Sequence, residues 1–203
     1  MNRTDTVHID WAVPGTGLDA LFGDGATRAE KILPTVIGLI GTALVVGHAM
    51  AAGFDWSWWR YSVAAILAAD LVGGVVANAL NSAKRFQNAD HIAVRRPTAA
   101  LVRNHPLFTA VHIHPIVIAL LFPGPGLAWG LLWYAITLAS VLIVGHTPLY
   151  LRRPAAMATV AVAPVLAASM DNPQGFAWLP SILAAKLVLG AVREEPYRPA
   201  AGS

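Results

Sequence analysis

The chain has 203 residues, of which 56% are hydrophobic and only 12% charged, whereas soluble domains carry about 25% charged residues. That balance excludes an ordinary soluble domain, and the length leaves no room for a second domain of typical size. The net charge of +3 does not point to nucleic acid, because most Lys and Arg flank apolar runs, where they set membrane topology. Without cysteine there is no disulfide, thiolate metal site or thiol nucleophile.

Residues 1–31 read as a soluble arm that holds Asp5, Asp10, Asp19, Asp24 and Glu30 among Gly and Pro. No basic segment precedes an apolar one there, so no signal peptide is expected. The stretch from Leu18 to Phe22 suits a short amphipathic turn on the membrane surface. Six apolar runs follow, at about 32–52, 59–82, 105–122, 127–146, 155–170 and 176–192. A spanning helix needs about 17–25 residues. The expected fold is therefore an all-α polytopic bundle over 32–193 with six spans, or five if 155–170 is re-entrant. Pro123-Gly124-Pro125-Gly126 separates the third run from the fourth, and Asp171-Asn172-Pro173-Gln174 the fifth from the sixth. No internal repeat is evident.

Charge orients the bundle. Lys84, Arg85, Arg95, Arg96 and Arg103 lie between the second and third runs, Arg152 and Arg153 between the fourth and fifth, and Arg193 and Arg198 after the sixth. The opposite loops hold little that is basic except Arg60. The positive-inside rule then places both termini, the tail 194–203 and the basic loops in the cytoplasm, with the bundle in the cytoplasmic (inner) membrane. Trp56, Trp58, Trp59, Trp129, Trp133 and Trp178 fall near the other ends of the spans.

Ionisable groups inside spans are costly and mark functional sites. Asp70 lies about 18 Å along a helix from Ser82, near mid-membrane. Gly73, Gly74, Ala77, Asn78 and Asn81 follow it on one small, polar helical face. In the third run, His105 and His112 are two turns apart and share a face with Thr109, while His114 points elsewhere and precedes Pro115. His146 ends the fourth run, and Lys186 lies in the sixth. Topology gathers Asn78, Asn81, His105, His112, His146 and Lys186 in the cytoplasmic half, with Asp70 beneath them. Imidazole and carboxylate together suit iron, zinc or manganese. Asp70, His105, His112 and His146 are the expected ligands of an iron or zinc ion. Asn78, Asn81, His114 and Lys186 would surround it or hold a substrate. Arg95, Arg96 and Arg103 would attract anionic headgroups. Each of these residues also has a plainer reading: a helix seam for Asp70, interfacial rings for His105 and His146, snorkelling for Lys186, and topology alone for the arginines. HExxH, HxxxH, phosphate-loop, GxSxG and CxxC patterns are absent from the sequence.

From Asp70 to Pro115 the chain resembles the histidine-containing membrane lipid desaturases that make plasmalogens. The shared pattern is Asp70, Gly74 and Val76 in a span, then a basic loop, then a His-rich segment ending in His114-Pro115. Ala77 stands where that family places a histidine. The resemblance implies iron and oxidation of a lipid at the cytoplasmic leaflet. Two other functions fit the same residues: a small transporter in which Asp70, His112 and Lys186 relay protons, or a non-catalytic subunit of a membrane complex.

Overall fold

Thr27 opens α1 (Arg28–Ala51) with a capping box. Its Oγ1 accepts the Glu30 N–H at 3.2 Å, and the Glu30 carboxylate accepts the Thr27 N–H at 2.8 Å. The computed structural model describes residues 17–19, 21–88, 97–190 and 192. The expectations for Arg95, Arg96 and the tail 194–203 fall outside these residues, as does most of the N-terminal arm. What is described of the arm is a tight hairpin, β1 (Leu18–Asp19) antiparallel to β2 (Gly23–Asp24), where the sequence suggested an amphipathic turn. Gly23, at φ +91°, lies against the Ser82 backbone, where a Cβ would overlap the carbonyl. Arg85 Nη2 donates to the Asp24 carbonyl at 2.7 Å. Lys31 Nζ lies 2.7 Å from Asp19 Oδ2. The Lys31 ammonium, helped by the Leu21 N–H, holds the Asp19 carboxyl below its usual range.

Four helices are long and apolar enough to cross a membrane: α1, α2 (Trp58–Ala79), α7 (Leu127–His146) and α8 (Leu149–Ala168). Their outward faces carry large apolar side chains, among them Leu44, Ile66, Ile143 and Val165. A helix that is apolar all round, yet not enclosed by protein, is matched to lipid. The chain is thus an all-α bundle of the membrane-spanning class. The fifth apolar run is longer than its apolar stretch suggested, because α8 begins at Leu149 and carries Arg152 and Arg153 in its first turns.

Small residues set the closest seam. Gly73 and Gly38 face each other between α2 and α1, and a Cβ on Gly73 would come within 2.8 Å of the Pro34 carbonyl oxygen. Thr42 Oγ1 donates to the Ala65 carbonyl at 3.1 Å further along the same antiparallel pair. A second seam joins α6 (His114–Leu121) to α7, with Gly130 beneath the Pro115 carbonyl.

Three segments differ from unbroken spans. The second run ends at Ala79, because Leu80 turns extended at ψ 144°. Asn81 therefore opens a separate helix, α3 (Asn81–Asn88), and leaves the Asp70 face. After α4 (Pro97–Arg103), the third run is two short helices, α5 (His105–Ala110) and α6, interrupted at 111–113. Pro115 lacks an N–H and cannot bond back to the Val111 carbonyl, and it suits the first turn of a new helix. The shared face expected for His105 and His112 consequently does not form. The sixth run is α9 (Leu179–Leu183) continued by a π-helix, Ala184–Leu189.

The bundle has two distinct ends. At one, Phe122 and Phe176 rings meet at 4.5 Å, Trp56 packs on both, and the Gln174 N–H bonds the Pro123 carbonyl at 2.8 Å. Arg60, the basic exception of the sequence, donates from Nε to the Leu121 carbonyl at 2.8 Å and so caps α6. The other end is basic. Lys84 Nζ donates to the carbonyls of Gly190 and Val192, and Arg152 donates to those of Gly145 and Thr147.

Candidate functional site

Asp70 is the thirteenth residue of the 22-residue α2, halfway along it. Its neighbours at one and two helical turns are Gly74 and Asn78, which share its face. That face meets the π-helix. Gly74 has no side chain, and the space holds the Lys186 side chain, whose Nζ lies 2.7 Å from Asp70 Oδ2 and 3.2 Å from the Asp70 carbonyl. The Gly190 N–H bonds the Ala185 carbonyl at 2.9 Å, five residues back, so the Lys186 carbonyl loses its usual helical partner. Asn78 Nδ2 donates to that carbonyl at 2.9 Å. Glycine, amide and π-turn together seat one lysine in the bundle.

The break before Pro115 brings two imidazoles to the same place. His114 Nε2 lies 3.4 Å from Asp70 Oδ2, on the oxygen that Lys186 also contacts. The His112 ring centre is 5.2 Å from that of His114, and His112 Nδ1 is 2.6 Å from the Phe108 carbonyl oxygen. His114 Nδ1 is buried without a hydrogen-bond partner. The side chain of Lys186 is 4% exposed and that of Asp70 48%, so the carboxylate is the outward-facing member of the pair.

The four expected metal ligands do not converge. Asp70 and His112 stand with His114 and Lys186. His105 and His146 line a different cleft at the basic end, with Arg103 and Arg152. Among the described residues, no three His, Asp or Glu side chains are grouped to hold one ion. The donor set around Asp70 also suits a cation poorly, because an ammonium already shares the carboxylate oxygen. The side chains expected as ligands of an iron or zinc ion therefore stand at two places, and at one of them Asp70 is ion-paired with Lys186.

Other placements depart from the sequence reading. His114, expected to point away, is the imidazole nearest Asp70. Lys186, expected among surrounding residues, is the direct partner of Asp70 and does not snorkel to the basic end. Lys84 and Arg152, read only as topology charges, bond backbone carbonyls where helices end. The Gly74 and Asn78 spacing was the available signal for the lysine seat, since a gap and an amide on the Asp70 face imply something that fills and caps it.

No family model, curated protein or solved structure matches the chain. The chemistry of the site rests on its own side chains.

Proposed function

We propose that this chain is a small membrane transport protein that relays protons through Asp70, Lys186, His114 and His112. The observation that carries this reading is the shared oxygen. Asp70 Oδ2 meets the Lys186 ammonium at 2.7 Å and His114 Nε2 at 3.4 Å, halfway along an apolar helix. Charged and titratable groups at that depth are costly and typically mark proton or ion pathways. A proton reaching His112 or His114 has Asp70 as the adjacent base. Once Asp70 takes it, the carboxyl is neutral and its attraction for Lys186 is lost. Return of the proton restores the pair. The cluster therefore has two charge states that differ in what holds α2 to the π-helix.

Orientation follows from charge. The basic end, with Lys84, Arg85, Arg103 and Arg152, faces the cytoplasm of a cell with this protein in its inner membrane, and both termini lie on that side. An iron- or zinc-dependent enzyme oxidising a lipid has less behind it, because the expected ligands are divided between two places.

The test is proton flux into liposomes holding the full-length protein and an entrapped pH-sensitive dye, driven by a potassium diffusion potential. Wild-type protein should acidify the lumen faster than protein-free liposomes do, and Asp70→Asn should abolish the difference while Asp70→Glu retains part of it. Equal rates with and without wild-type protein, or an unchanged rate in folded Asp70→Asn, would defeat the proposal.

A further inference from the structure

A second site lies at the basic end of the bundle, away from the ion pair. It is an open cleft of about 740 Å³, in the size range of small-molecule sites. Five helices contribute its polar wall: Gln87 from α3, Arg103 from α4, His105 from α5 with its cap Asn104, His146 from α7 and Arg152 from α8. Val141 and Val188 are among the apolar residues beside them. No carboxylate lines it among the described residues.

The details suit an anion. Arg152 is held in place by its own bonds, from Nε to the Thr147 carbonyl and from Nη2 to the Gly145 carbonyl, both at 2.9 Å. A guanidinium anchored in this way presents its charge in a fixed geometry. His105 Nε2 is buried without a hydrogen-bond partner, so this nitrogen stands behind the cleft surface and not on it. His146 Nδ1 is 2.7 Å from the Leu142 carbonyl oxygen, which fixes its ring. The cleft also adjoins the segment that seats Lys186, since Val188 lies two residues beyond it.

We infer that this cleft binds the phosphate of an anionic amphiphile, with Arg103 and Arg152 facing the oxyanion and the valine wall accommodating the start of an apolar chain. Arginine suits phosphate because its planar fork matches two oxygens at once. Positive charge with an adjacent apolar wall, at the end of a membrane bundle, matches a lipid headgroup better than a fully polar anion. The inference does not depend on proton relay at Asp70.

The test uses the full-length protein in neutral detergent. Thermal unfolding is followed with added dioleoyl phosphatidylglycerol, dioleoyl phosphatidylcholine or inorganic phosphate. Phosphatidylglycerol should raise the midpoint and phosphatidylcholine should not. Arg103→Gln should weaken the apparent affinity for phosphatidylglycerol by about tenfold, in keeping with loss of one charge-assisted contact. Ala100→Trp narrows the cleft from its exposed edge while every cation remains, and it should abolish the shift even if Arg103→Gln folds poorly. Inorganic phosphate reproducing the shift, with the same sensitivity to both variants, would uphold the site and assign it to free phosphate. Equal shifts with both lipids, or an undiminished phosphatidylglycerol shift in folded Ala100→Trp, would overturn the inference.

Discussion

A Cβ on Gly74 would stand 2.8 Å from Lys186 Nζ, so the side chain that one residue lacks is the space the other's ammonium occupies. Gly74→Ala therefore crowds the lysine away from Asp70. The crowded atoms are the far end of a flexible side chain, so the cost should fall at the low end of the about 1–3 kcal/mol typical of overpacking. Gly47, by contrast, has open space where a Cβ would go, and Gly47→Ala should be neutral or mildly stabilising through helix propensity. Thermal unfolding of both variants in detergent checks this. Equal midpoints for the two would mean that Gly74 does not make room for the lysine.

The Asp70–Lys186 pair predicts strong coupling. Asp70→Asn leaves a lysine that is 4% exposed without its counter-charge. Breaking a fully buried pair from one side costs about 3–5 kcal/mol. The half-exposed carboxylate puts the cost here below that range, whereas replacing both partners with apolar groups of similar volume is often neutral. Asp70→Leu combined with Lys186→Met should thus be more stable than Asp70→Asn alone. A double-mutant cycle with additive single effects would show that the two groups do not interact.

Both ends of the bundle predict a compartment. The loop 123–126 belongs to the aromatic end, where the Gln174 N–H bonds the Pro123 carbonyl. The basic end gathers Lys84, Arg85 and Arg152. Topology reporters fused within 123–126 and after Ser203 should report opposite sides of the membrane, with Ser203 cytoplasmic. The same side for both would reject this arrangement of spans.

The α-helical class and most span ends were legible because long apolar runs and basic loops are local signals. The Asp70, Gly74 and Asn78 face was legible too, since a helix repeats every 3.6 residues. The partner of that face was not. Lys186 reaches Asp70 across 116 positions, and its register depends on a π-turn that no local pattern announces. His114 was misdirected for a related reason. Continuing one helix through 105–122 fixes its direction by helical rotation, whereas the interruption before Pro115 resets that rotation. His105 and His146 stand apart from Asp70 and His112 for the same reason, because similar depth along the bundle does not make side chains neighbours. Glycines 73 and 74 looked like one seam but serve two: Gly73 meets α1 and Gly74 meets the lysine.

Proton relay requires Asp70 to take up and release a proton beside Lys186 and His114. Infrared difference spectroscopy on the reconstituted full-length protein, carrying aspartate labelled with carbon-13 at the side-chain carboxyl, reads this directly. Between neutral and acidic pH, a labelled carboxylate band should convert reversibly into a protonated carbonyl band. Seven other aspartates carry the label and titrate as well, so the readout is the wild-type minus Asp70→Asn difference: one component of the change should be missing from Asp70→Asn and displaced in pH in Lys186→Met. Wild-type and Asp70→Asn spectra that change identically across the titration would contradict the account.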